Sequence, residues 1–187
     1  MSVKSSPADI IPSVPHTKDH GNPPIIQPAE QRDRDDDDEP APRLIYIGEY
    51  AAKSAYYSPL RKSVMLGSVH GEKFTEDSFL EAPDAEELDE HIEQFVDTAT
   101  AHNVEYTLSD QAFGLLIAKR LADAEAMPKG QAQAYILRDF LDISRQNTAT
   151  ILGSTPSTVD TQLRAGREKV ERAALLTQNL TALQDDY

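Results

Sequence analysis

Cysteine is absent from this 187-residue chain, and that excludes a disulfide framework, a thiolate zinc site and a cysteine nucleophile. No apolar run approaches the roughly 20 residues that a bilayer-spanning helix needs. Met1 to His16 hold one lysine and no apolar block, so no secretory signal is expected and the chain is assigned to the cytoplasm, away from membranes. There is no glycine-rich phosphate loop. The histidines (His16, His20, His70, His91 and His102) follow no metal-ligand spacing. No cofactor, metal or catalytic set is therefore expected, and the chain does not read as an enzyme.

Lysine is scarce too, at 8 residues, and 32 acidic against 18 basic side chains leave a net charge of −14. Such a surface suits either a salt-rich cytoplasm or a basic partner. Its distribution is uneven. Residues 1–100 carry 21 acids and 9 bases, whereas 101–187 carry 11 and 9. Within 144–173, Arg145, Arg164, Arg167, Lys169 and Arg172 outnumber Asp160, Glu168 and Glu171. The most basic stretch of an acidic chain lies near its end.

Hydrophobic residues amount to 39%, and eight of the twelve prolines precede residue 43. With those prolines and the acidic run from Arg32 to Glu39, residues 1–43 have no helical or strand periodicity and read as a disordered acidic tail. Residues 44–82 form a small segment in which 44–50 and 63–69 favour β-structure, as two short strands or a hairpin around a linker with Pro59. Tyr46, Tyr50, Tyr56 and Tyr57 there are either half-buried packing or a stacking surface for bases.

From Pro83 the pattern turns helical, and 83–187 reads as one helical domain. Leu88, Ile92, Phe95 and Ala99 recur at helical spacing, with Asp89, Glu90, Glu93 and Asp97 as a solvated opposite face. Ser109 can cap a second helix carrying Phe113, Leu116, Ile117, Arg120 and Leu121. That helix stops before Pro128-Lys129-Gly130. A third runs over 131–141, with Tyr135, Ile136, Phe140 and Leu141 inward. The fold expected is mainly α: a small helical bundle with a C-terminal helix-turn-helix, a short β-hairpin before it and a disordered acidic N-terminus.

The helix-turn-helix is expected at 144–167. Ser144 stands at an N-cap, and the short helix it opens buries Ala149, Ile151 and Leu152. Gly153 supplies the positive φ that ends it. Thr155 caps the next helix, Pro156 fits its first position, and Val159 and Leu163 point inward. Ser157, Thr158, Asp160, Thr161, Gln162 and Arg164 are left outward. Short and amide-bearing side chains are what a major groove about 12 Å wide admits against base edges. Ser144, Arg145, Gln146 and Arg167 flank them, where hydroxyls, guanidinium groups and a helix start meet phosphates.

The stretch from Arg138 to Val170 resembles region 4 of sigma-70 factors. It has a leucine-bearing helix, a serine-opened helix with a central alanine, Leu152-Gly153, then Ser157-Thr158-Val159 and a basic Arg164 to Lys169 tail. It is also similar to LuxR-type regulators, which share the Thr-Val pair. The resemblance implies that the Thr158-Val159 helix is the recognition helix, with duplex DNA as partner. Asp160 stands where sigma factors usually carry a base, and the other sigma regions are missing. The implied protein is therefore a stand-alone transcription regulator, and the acidity and low lysine resemble haloarchaeal proteins. Val170, Ala173, Leu176, Leu180 and Leu183 form a last stripe, which either pairs two copies as a homodimer or packs back on the helix at 84–100. The competing function is a non-enzymatic adaptor whose acidic surface binds a basic protein, such as a component of the transcription machinery.

Overall fold

The computed structural model describes residues 14–17, 23–28, 43–82 and 84–185. The chain divides into two compact units, 6–117 and 118–187.

The first unit is built on a sheet. β1 (His16–Thr17), β2 (Ile25–Pro28), β3 (Leu44–Tyr50), β4 (Lys53–Ser58), β5 (Ser63–His70), β6 (Lys73–Leu80) and β7 (Tyr106–Ser109) hydrogen-bond in the order β1-β7-β3-β2-β6-β5-β4. β1 with β7 and β2 with β6 run parallel, and the other pairs are antiparallel. β3 also pairs with β4, from Ile45 opposite Tyr57 to Tyr50 opposite Lys53. That additional ladder closes β2 to β6 into a five-stranded barrel.

The expectation of a mainly α bundle with at most a hairpin is thereby overturned. The runs at 44–50 and 63–69 are strands, but they do not pair with each other. The stretch taken for their linker is itself β4, lying between them. The segment assigned to a disordered tail supplies β1 and β2. Its acidic run at 32–39 lies outside the described residues, as does Pro83.

Hydrophobic burial explains the closure. Leu44, Tyr46, Ile26, Tyr56, Met65 and Phe74 form one cluster, with ring centroids 5.0 Å apart for Tyr46–Tyr56 and 4.9 Å for Tyr56–Phe74. Burying a side chain of this size contributes roughly 1.5–3 kcal/mol. The Tyr56 hydroxyl donates to the Pro23 carbonyl at 3.0 Å, so the polar end of the ring is satisfied inside. β3 skips a residue at Tyr46/Gly48. A Cβ at Gly48 would lie 2.0 Å from the Thr107 carbonyl oxygen, so only glycine lets β7 approach there.

α1 (Leu88–Ala101) covers the outer sheet face, with Phe95 against Tyr50 and Tyr106, and His91 5.0 Å from the Tyr57 ring. Tyr46, Tyr56 and Tyr57 are buried and Tyr50 is half-buried, so these tyrosines pack rather than present a stacking surface. Glu90 accepts from the Glu86 and Glu87 amides at 2.8 and 3.1 Å and sets the helix start. Ile92, Phe95 and Ala99 are buried as expected. Asp89 and His91 are buried as well, so the helix has no fully solvated acidic face; of the four carboxylates assigned to it, Asp97 is the exposed one. α2 (Asp110–Asp123) begins after Ser109, whose hydroxyl accepts from the Ala112 amide at 3.3 Å as its capping role requires. Gln111 donates to the Pro24 and Tyr46 carbonyls at 3.0 and 2.7 Å, fastening β2 and β3 to this helix.

The second unit comprises the end of α2, α3 (Lys129–Tyr135), a π-helical turn (Ile136–Phe140), α4 (Arg145–Ile151) and α5 (Pro156–Asp185). The Leu141 amide reaches the Ile136 carbonyl at 2.9 Å, five residues back. This wide turn changes which side chains face inward. Leu137 and Ile136 are buried while Phe140, expected inside, is 68% exposed. Among the described residues, no helix is long and apolar enough to cross a membrane.

Candidate nucleic-acid interface

The local chemistry at 144–163 sets two helices around a tight turn. The Ser144 hydroxyl accepts from the Asn147 amide at 3.2 Å and caps α4. α4 ends at Ile151 and the chain turns at Gly153, whose φ is +55°; the Gly153 and Ser154 amides bond back to the Thr150 and Ala149 carbonyls at 3.2 and 2.9 Å. Thr155 then caps α5 through its hydroxyl, which accepts from the Thr158 amide at 3.2 Å. Pro156 takes the first helical position.

Ala149, Ile151, Val159 and Leu163 are buried, as their spacing predicts, and Leu152 is half-buried. Thr148 was not among the expected core positions, yet it is 0% exposed. Its hydroxyl faces the Ile143 carbonyl at 3.4 Å. α5 packs on α3 as well as α4. A Cβ at Gly166 would sit 3.1 Å from the Gln131 carbonyl oxygen and 3.3 Å from the Tyr135 Cβ. This glycine is what lets two backbones come so close.

Ser144, Arg145, Gln146, Ser157, Thr158, Asp160, Thr161, Arg164 and Arg167 are all exposed, on α4, its cap and α5. Gln162 is not fully outward. It is half-buried and lies where a Cβ at Gly130 would meet its amide carbon at 3.3 Å. The hydroxyls of Ser157 and Thr158 sit 3.0 and 2.9 Å from that of Thr155, and the Thr161 hydroxyl donates to the Ser157 carbonyl at 3.1 Å. These short side chains are oriented by the helix that carries them.

The charges are paired. Arg145 on α4 meets Asp160 on α5 through Nε at 2.9 Å and Nη2 at 2.7 Å. Arg167 meets Asp139 on the π turn through Nε at 2.7 Å and Nη2 at 2.6 Å. Each two-pronged contact holds its carboxyl below the ordinary carboxylate value, chiefly through the arginine hydrogen bond. Asp160, anomalous in the sequence, is thus the ionic link between the two helices. Asp139 was missed because its partner lies 28 residues away and no local pattern signals it. Arg164 and Lys169 have no ion pair among the described residues. The local excess of base counted along the chain therefore resides mainly in those two cations.

Residues 124–170 match the family model for sigma-70, region 4. The match begins just after α2 and spans α3, the π turn, α4 and the first half of α5, which are 47 of the 187 residues. No curated protein and no solved structure matches the chain.

Proposed function

We propose that residues 144–167 bind duplex DNA in a sequence-dependent way and that the protein regulates transcription. The observation that carries this reading is a coincidence of two independent features. The segment matched by the sigma-70 region 4 model also holds a capped short helix, a glycine turn and a capped second helix presenting Thr158, Thr161 and Arg164 to solvent. A helix with threonine and arginine on its outer face can enter the major groove. There the threonines contact base edges or methyl groups, and Arg164 pairs with guanine. Ser144, Gln146 and Ser157 are exposed at the starts of the two helices, where side chains of this kind can contact phosphates.

The adaptor reading retains one supporting observation. Arg145 and Arg167 are neutralised by Asp160 and Asp139, so the face is only weakly cationic for a polyanion. The two are separated by selecting bound duplexes from a random pool at two salt concentrations, with the wild type and a Thr158→Ala/Thr161→Ala/Arg164→Ala variant. These side chains lie outside the core, so the variant stays folded. A motif enriched by the wild type and lost by the variant supports DNA reading by α5. Absence of enrichment at both salts moves the assignment to the adaptor.

A further inference from the structure

α5 is 30 residues long, about 45 Å at 1.5 Å per residue. Its first half is held by α3 and α4 through Val159, Leu163 and Gly166. Beyond Val170, where the family match also ends, every described side chain is exposed. Leu176 and Leu180 are 60% and 52% exposed. A helical arm of this length with Thr177, Asn179 and Thr181 in it is marginal alone in water, because such residues are poor helix formers and nucleation is costly. Something must cover its apolar face.

We infer that the cover is a second copy of the same arm, in a parallel coiled coil over 173–184. Ala173, Leu176, Leu180 and Leu183 follow one another at steps of three, four and three, the a and d positions of two heptads. Leucine at d suits two strands. The flanking positions fit a self-pairing arm in particular. Arg172 at g would face Thr177 at e of the partner, so no like charges oppose each other. From 173 to 184 there is no charged residue at all. In a chain of net charge −14, two copies can meet along this arm without the repulsion met over the acidic surface. A seam of two heptads buries less than the ~1,200 Å² of standard specific interfaces. The dimer is accordingly a weak, reversible one, populated at high protein concentration. This inference does not depend on DNA binding.

The absence of cysteine makes a clean test, on the full chain. Leu176→Cys, at a d position, is expected to form an interchain disulfide under mild oxidation. Gln178→Cys, on the opposite face, is expected to form markedly less. In sedimentation, the wild type should show concentration-dependent dimer. A Leu176→Asp/Leu180→Asp variant should raise the dissociation constant by more than about tenfold, because it places charge in the seam. Neither leucine is in the core, so a folded monomer is retained. Equal crosslinking of the two cysteine variants would overturn the proposal. So would an unchanged dissociation constant, or a strictly monomeric wild type at hundreds of micromolar. Efficient crosslinking between mixed Leu176→Cys and Leu180→Cys chains, with none between identical ones, would replace the parallel arrangement with an antiparallel one.

Discussion

Replacing Asp160 by Asn should tighten DNA binding and steepen its salt dependence. In the native protein Arg145 is held by Asp160 through two nitrogens, at 2.9 and 2.7 Å, and both side chains are exposed. Asparagine keeps the size and a carbonyl acceptor but removes the charge that fixes the guanidinium. It also removes a carboxylate from the face that would approach the phosphates. If Arg145 then neutralises one phosphate, the slope of log K against log salt becomes steeper by about 0.9. Between about 50 and 200 mM salt the variant would lose roughly three to four times more affinity than the wild type, having started tighter. Fluorescence anisotropy titrations with one labelled duplex at four salt concentrations measure this. Identical slopes would show that Arg145 already contacts the backbone, or that α4 never approaches it. A shallower slope would show that Asp160 is itself part of the contact and does not act by holding Arg145 away from the phosphates.

Other outcomes follow from the packing. Ala51 and Ala52, between β3 and β4, hold φ of 51° and 62°, a left-handed pair that asparagine and glycine adopt more readily. Ala51→Asn/Ala52→Gly should therefore stabilise the fold by about 1–2 kcal/mol in urea denaturation, because the two left-handed alanines cost roughly 1–2 kcal/mol each and asparagine and the more flexible glycine recover only part of it. Gly166→Val should destabilise the second unit by about 2 kcal/mol or more, by forcing α5 away from the Gln131 carbonyl; an unchanged urea midpoint would contradict the close approach. Ser144→Ala should cost about 1 kcal/mol through loss of the α4 cap, read in the same assay. His91 is buried, and its ring nitrogens have no hydrogen-bond partner among the described residues; burial lowers its pKa from 6.5, with Glu90 opposing that and Lys62 adding to it. The unfolded chain thus takes up a proton that the folded one refuses. Stability is complete above the ordinary histidine value and falls as pH drops below 6.5 toward the lowered folded value. Thermal melts of wild type and His91→Phe across pH 5 to 8 should show that the variant loses part of this dependence.

The helix-turn-helix was legible because its determinants are local. Ser144, Gly153, Thr155 and Pro156 act within three residues of themselves, so caps and turn chemistry identify them one by one. The barrel was hidden for the opposite reason. β3 and β4 turn through two alanines instead of Asn-Gly, so the hairpin carried no turn signal and β4 passed for a linker. β6 contains Thr75, Glu76, Asp77 and Ser78, a polar run that its ladder with β5 nonetheless holds as strand. β2 becomes a strand only by pairing with β3 and β6, 18 to 46 residues away by register. Such long-range pairing leaves no periodic trace in a four-residue segment. Within the site, summing charge along the chain gave a basic face. The fold spends Arg145 and Arg167 on Asp160 and Asp139, pairs that only the tertiary structure brings together.

The most direct test of the proposed interface is to map amide chemical shifts of the full chain on adding a duplex selected from a random pool. Perturbations are expected to concentrate at 144–147 and on the outer face of α5 from Ser157 to Arg167, with the β3–β6 residues unmoved. Perturbations centred on the barrel, or none with a duplex that demonstrably binds, would contradict the assignment of DNA reading to this helix pair.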